Sequence, residues 1–169
     1  LGIAGAADAE APARLHEAMR YAVLEGGKRV RPLLAFAAGD LTGATPERLE
    51  IAAAAVELIH AYSLVHDDMP CMDNDVLRRG KPTVHVQFGE AQAMLAGDAM
   101  QALAFEVLTP DAGVPCALQA RLCSLLARAA GHAGMAGGQA IDLASIGVSL
   151  GEHELRDMHH RKTGALLRA

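Results

Sequence analysis

Nine residues, Asp67-Asp68-Met69-Pro70-Cys71-Met72-Asp73-Asn74-Asp75, carry four carboxylates. Carboxylate oxygens are hard ligands, and Mg²⁺ takes one or two of them, completing its octahedron with water and phosphate oxygens. The D-x-D-x-D-G spacing of a calcium-binding EF-hand loop is absent. Two basic segments accompany the acids. Gly26-Gly27-Lys28-Arg29-Val30-Arg31-Pro32 sets three cations in a short loop, and Arg78-Arg79-Gly80-Lys81-Pro82-Thr83 follows the acids directly. Lysine offers an anion a point charge, arginine a bidentate fork. The first loop is not a P-loop, since G-x-x-x-x-G-K-[ST] is missing. Taken singly, an acidic turn paired with Arg78 and Arg79, or a basic turn, is a solvated surface feature. Together they form what a Mg²⁺–diphosphate site needs, with carboxylates for the metal and cations for the remaining phosphate charge. Two separate basic elements point to two diphosphates.

The elements that must position these groups read as helices. The chain is 51% hydrophobic but only 3% aromatic. Its apolar content is mostly Ala and Leu, the strongest helix formers, so the predicted fold class is all-α. Spacing predicts a helix over Arg14–Glu25, ended by Gly26-Gly27. Pro32 suits the first turn of the next helix. Thr45-Pro46 starts a long helix that runs to about Asp68 and is broken by Pro70. His60 then lies seven residues, two turns, before Asp67 and on the same face. Gly80–Thr83 reads as a loop. Further helices are predicted over Gly89–Leu108, Pro115–Ala130 and Met135–Leu143. Ser149–Glu152 has capping-box spacing and is expected to open a last helix carrying His159, Lys162 and Gly164. With no repeat or linker, a single helical domain is expected, and its termini at Leu1 and Ala169 read as cut.

The formal net charge of −5 gives no basic footprint for nucleic acid. Cys71, Cys116 and Cys123 are odd in number and lack CxxC spacing, which fits a reducing cytoplasm. The Ala-rich stretch from Ile51 is interrupted by Glu57 and His60, so no membrane span is expected.

Five elements in order resemble the trans-isoprenyl (farnesyl/geranylgeranyl) diphosphate synthases. Gly26–Pro32 is similar to the family's GGKxxRP element, and His60–His66 with Asp67–Arg79 to its first aspartate-rich region in the DDx4D form. Gly97-Asp98, Gly137-Gly138-Gln139-Ala140-Ile141-Asp142-Leu143 and Lys162-Thr163-Gly164 match three more. The resemblance implies a helical bundle around a central apolar cavity, a homodimer in the cytoplasm, and dependence on Mg²⁺, with Mn²⁺ as a substitute. It implies that Asp67, Asp68 and Asp73 hold the metal. Arg78 and Lys162 would bind the allylic diphosphate, supported by Thr163, Gln139 and Asp142. Lys28, Arg31, His60 and Arg79 would bind isopentenyl diphosphate. Asp75 receives no role.

The implied chemistry is ionisation of the allylic substrate, condensation with isopentenyl diphosphate and elimination of a proton, with no protein nucleophile. Tyr62, followed by Ser63, occupies the position where a bulky residue resembles a floor for the growing chain, and an aromatic there suggests a farnesyl (C15) product. The alternative for Tyr62 is a core tyrosine with a bonded hydroxyl. A geranylgeranyl (C20) synthase and a non-catalytic prenyl-synthase subunit are the rival readings. Members also carry a second DDxxD motif after the Lys-Thr-Gly element, and this chain stops before it.

Overall fold

The computed structural model describes residues 13–24 and 26–169, so Glu25, the expected end of the first helix, and Leu1 lie outside the described residues. The all-α expectation holds. Contacts divide the chain into two compact units, one ending at Val107 and one from Leu108 to Ala169.

The first unit contains α1 (Ala13–Leu24), α2 (Val30–Thr42), α3 (Pro46–Asp67), α4 (Val84–Phe88) and α5 (Glu90–Val107). Thr45 is extended and Pro46 takes the first helical position of α3, where its missing N–H costs nothing. The helix stops at Asp67, as Pro70 demands, and the Asp73 amide folds back onto the Asp67 carbonyl (2.8 Å). Helix α3 packs against α1, α2 and α5. It buries residues around most of its circumference, including Ala55, Leu58, Ile59 and Val65, the pattern of a central helix rather than an amphipathic surface one. By length and composition α3 could cross a bilayer, but 56% of its apolar window is buried within the protein, which is how a core helix looks.

Helix α5 buries Ala93, Ala96, Gly97, Met100 and Ala104, a stripe of mostly small residues at helical spacing that lets α3 and α5 approach closely. Gly97 is the extreme point of that stripe. A Cβ there would lie 2.0 Å from His66 Nε2 on α3, and that nitrogen is 3.1 Å from the Met94 carbonyl oxygen.

Gly80–Thr83 is not simply a loop. Leu77–Arg78 (β1) and Lys81–Pro82 (β2) form an antiparallel hairpin, with Leu77 opposite Pro82 and Arg78 opposite Lys81. Arg79 and Gly80 make its two-residue turn at φ 56° and 78°, the positive-φ pair that a tight hairpin requires. Strands of two residues have no room for alternation, so the sequence carries no strand signal.

The second unit holds α6 (Cys116–Ala130), α7 (Met135–Ala144) and α8 (Glu152–His159), followed by a π-helical turn (His160–Gly164) and the short α9 (Ala165–Leu167). Two expectations need correction. The N-cap of α8 is Gly151, whose amide donates to Glu154 Oε2 at 2.9 Å, so the reciprocal bond is not made from Ser149. The last helix is also interrupted by the wide turn at His160 rather than running straight through Lys162.

Candidate active site

The acidic turn is built around one buried carboxylate. Asp68 is 2% exposed, and Arg78 grips it with Nε donating to Oδ1 (2.9 Å) and Oδ2 (2.8 Å) and Nη2 donating to Oδ1 (2.5 Å). The bond to Asp68 raises the Arg78 pKa, and burial works against it. Asp75, which the sequence left without a role, is a second partner for Arg78 Nη2 at 3.8 Å. Buried Thr83 braces the same turn, its hydroxyl donating to the Asp75 carbonyl at 2.8 Å.

Among the described residues no three His, Cys, Asp or Glu side chains converge into a closed metal cage. What the turn does offer is Asp67, at the C-terminal end of α3, and exposed Asp73, joined by the amide bond already noted. A helix C-terminus disfavours anions, and these two hard oxygen donors suit a cation that keeps water and phosphate in its shell. The donor set therefore fits Mg²⁺. Asp68, expected as a third ligand, has both oxygens engaged by Arg78.

The basic residues gather in one cleft of about 420 Å³, lined by Gly27, Lys28, Arg29, Val30, Arg31, Glu57, His60 and Arg79. All four residues assigned by resemblance to isopentenyl diphosphate are in that lining. Gly27 is required at the contact between the two basic segments: its φ is +107°, and a Cβ would sit 2.7 Å from Arg79 Nη1. Burial lowers the Arg31 pKa, with Glu57 opposing the shift, and Arg31 Nε is buried with no partner among the described residues. An unpaired buried donor is costly and is satisfied when an anion enters. The pKa of His60 is lowered to about 4, first by burial and then by Arg31, Arg79, Arg78 and Arg29. Its ring is neutral at pH 7. Arg79 also lines a smaller cavity of about 50 Å³ shared with Arg78, Asp68, Ala61, Leu64 and Tyr21.

Two residues of this cleft were not singled out by sequence. Arg29 pairs with buried Glu57 and donates to the Val23 carbonyl. A signal existed in Glu57, an acid embedded in an Ala-rich helical run one turn before His60, but an isolated buried acid belongs to no motif.

Tyr62 is buried on α3. Its ring meets His66 edge-on, with centroids 5.8 Å apart and planes at 74°. Burial raises its phenol pKa, opposed by a hydrogen bond with Gln101 of α5. Ser63 is satisfied locally, its hydroxyl donating to the His60 carbonyl at 2.9 Å.

In the second unit, Lys162 Nζ meets Asp142 Oδ2 at 2.5 Å. Gly138 makes this pairing feasible, because a Cβ there would lie 2.2 Å from the Lys162 amide nitrogen. Lys162 and exposed Thr163 lie in the π-helical turn, a device found frequently at functional sites. Both polar atoms of the Gln139 side chain are buried without partners among the described residues.

The profile of polyprenyl synthetases matches residues 12–169. This chain belongs to that family. Relatives within it include the farnesyl diphosphate synthase of Haemophilus influenzae, 54% identical over 155 residues that cover 92% of this chain and 52% of the relative. Geranylgeranyl pyrophosphate synthase 4 of Arabidopsis thaliana is 53% identical over 162 residues, 94% of this chain and 43% of the relative. Among solved structures, a geranyltransferase from Legionella pneumophila superposes with a TM-score of 0.89 at 47% identity, covering 92% of this chain and 55% of its own. The chain spans about half the length of the curated polyprenyl synthetases it matches. Farnesyl and geranylgeranyl synthases match it almost equally, so identity does not separate their products.

Proposed function

We propose that the full-length protein is a prenyltransferase that condenses isopentenyl diphosphate with dimethylallyl or geranyl diphosphate to give farnesyl diphosphate. The observation that carries this reading is the cleft in which Lys28, Arg31, His60 and Arg79 converge. A cationic pocket with an unpaired buried arginine donor is suited to a diphosphate, and the neutral imidazole adds a hydrogen-bonding group without further charge. Isopentenyl diphosphate occupies this cleft. Arg78 is the first unit's group suited to the allylic diphosphate, and within the second unit Lys162 and Thr163 lie together in one turn suited to an anion. Asp68 orients the Arg78 guanidinium, Asp142 orients Lys162, and the Gln139 amide provides a donor and an acceptor that are unpaired among the described residues.

Asp67 and Asp73 are the residues suited to hold Mg²⁺, or Mn²⁺ in its place, with Asp68 steadying the turn. A cation held by these carboxylates would supply charge neutralisation for a departing diphosphate. The cationic side chains stabilise the same developing charge electrostatically. As the allylic C–O bond breaks, the double bond of isopentenyl diphosphate forms the new C–C bond and a proton leaves. The apolar lining contributed by Ala61, Leu64 and Val65 excludes water that would otherwise quench the allylic cation. The enzyme acts as a cytoplasmic homodimer.

Incubating the full-length protein with radiolabelled isopentenyl diphosphate, geranyl diphosphate and Mg²⁺ tests this directly. A labelled C15 prenyl diphosphate is expected, and no incorporation at all overturns the proposal. A geranylgeranyl synthase, to one of which the chain is also 53% identical, is the second reading. A C20 product under the same conditions selects it.

A further inference from the structure

The cleft contains four cations and one acid, and the acid does not neutralise them evenly. Glu57 is 5% exposed on rigid α3, three residues before His60 and therefore on nearly the same face. Its carboxylate pairs with Arg29, whose second arm donates to the carbonyl of Val23 near the end of α1. Arg29 itself is left-handed (φ 52°) at the N-cap of α2, a conformation that is unfavourable for a non-glycine residue and persists only where surroundings enforce it. One guanidinium thus ties the end of α1, the start of α2 and the middle of α3 into a fixed frame. The residues beside it in sequence are the ones expected to bind diphosphate: Lys28 before it, exposed, and Arg31 after it, its Nε unpaired among the described residues.

We propose that Glu57 and Arg29 are positioning residues for the diphosphate cleft. Glu57 withdraws Arg29 from ligand binding and uses it to hold Lys28 and Arg31 where they meet the anion. This rests on the reading that isopentenyl diphosphate occupies the cleft, and the experiment separates the two.

The sign of the effect is diagnostic. If Glu57 acted only through its charge, Glu57→Gln would make the cleft more positive and tighten diphosphate binding. If it positions the loop, the same substitution weakens binding despite the added positive charge. In the full-length enzyme, Glu57→Gln is expected to raise KM for isopentenyl diphosphate on the order of tenfold, the scale of a slight misplacement of binding groups, and to move KM for the allylic diphosphate less than twofold. Arg29→Lys preserves net charge but cannot span both partners, so it should shift KM in the same direction. The double variant should be no worse than the more affected single, because both break one linkage. Thermal melts establish that each variant is folded at the assay temperature, and Arg29→Lys carries the test if Glu57→Gln is not. Unchanged or lowered KM for isopentenyl diphosphate in the folded variants overturns the positioning role. A wild-type protein that binds no isopentenyl diphosphate in calorimetry overturns the site reading and this proposal with it.

Discussion

His60 illustrates how strongly single residues here are set by their neighbours. Surrounded by arginines and largely removed from water, it titrates near pH 4 rather than 6.5. A depressed histidine pKa means the unfolded chain binds more protons between those two values, so stability increases with pH across that window. The contribution is fully present above pH 6.5 and is lost as the pH falls toward 4. Thermal melts of the wild type and His60→Gln between pH 4 and 7 should diverge, with the wild type losing more stability on acidification. Parallel curves would contradict the assigned environment. The Asp68–Arg78 pair makes a second residue-scale prediction. Arg78→Ala strands a carboxylate that is 2% exposed; breaking a fully buried pair this way costs roughly 3–5 kcal/mol, and less here because the Arg78 side chain is 34% exposed. Arg78→Ala should therefore lower the urea midpoint as well as activity, and an unchanged midpoint would show that Asp68 finds water or another partner. At this scale the sequence was most readable where charges repeat. The family resemblance names Lys28, Arg31, His60 and Arg79 together, and all four line one cleft, although nothing in their spacing shows how closely Arg79 approaches Gly27. Spacing also gave no sign that Asp68 would be spent on Arg78.

Helices were legible because composition and proline placement agree: Ala and Leu favour them, Thr45-Pro46 starts α3, and Pro70 ends it. The elements that escaped prediction have weak local signals. The hairpin at Leu77–Pro82 is too short for alternation, and the π-helical turn at His160–Gly164 arises from packing, which sequence periodicity cannot encode. Its packing partner is Gly138, whose reason for being glycine becomes clear only in three dimensions. A methyl group at that position meets the backbone of Lys162 at 2.2 Å, and backbone cannot rotate away as a side chain can. Gly138→Ala should therefore separate α7 from the turn, weaken the Lys162–Asp142 contact and destabilise the protein by about 1–3 kcal/mol, the range for overpacking. A differential scanning melt measures it. By comparison Gly97→Ala faces a movable imidazole and should cost less, so equal losses for the two would argue that backbone clash is not the governing effect.

Under the proposed prenyltransferase reading, product length belongs to the whole molecule, because it depends on how much apolar space the full-length protein leaves beyond the reacting carbons. Identity to farnesyl and geranylgeranyl synthases alike leaves that question to the cavity. Tyr62 lies five residues before Asp67 on α3, about 7–8 Å along the helix at 1.5 Å per residue. It is buried and fixed on two sides, by the His66 ring and by Gln101, so its bulk cannot swing aside for a longer tail. Truncation to alanine opens space that the surrounding helices do not refill completely, and removal of a large buried side chain costs about 3–5 kcal/mol. Tyr62→Ala in the full-length enzyme is thus expected to be less stable and to yield products longer than C15 by chromatography of the dephosphorylated prenols. Tyr62→Phe separates bulk from bonding, since it keeps the ring but removes the hydroxyl that meets Gln101. If the ring is the floor, the phenylalanine variant retains the parent product and only the alanine variant elongates it. If both variants elongate, the hydroxyl's hold on α5 sets the cavity depth, and if neither does, Tyr62 is core packing and the floor lies elsewhere.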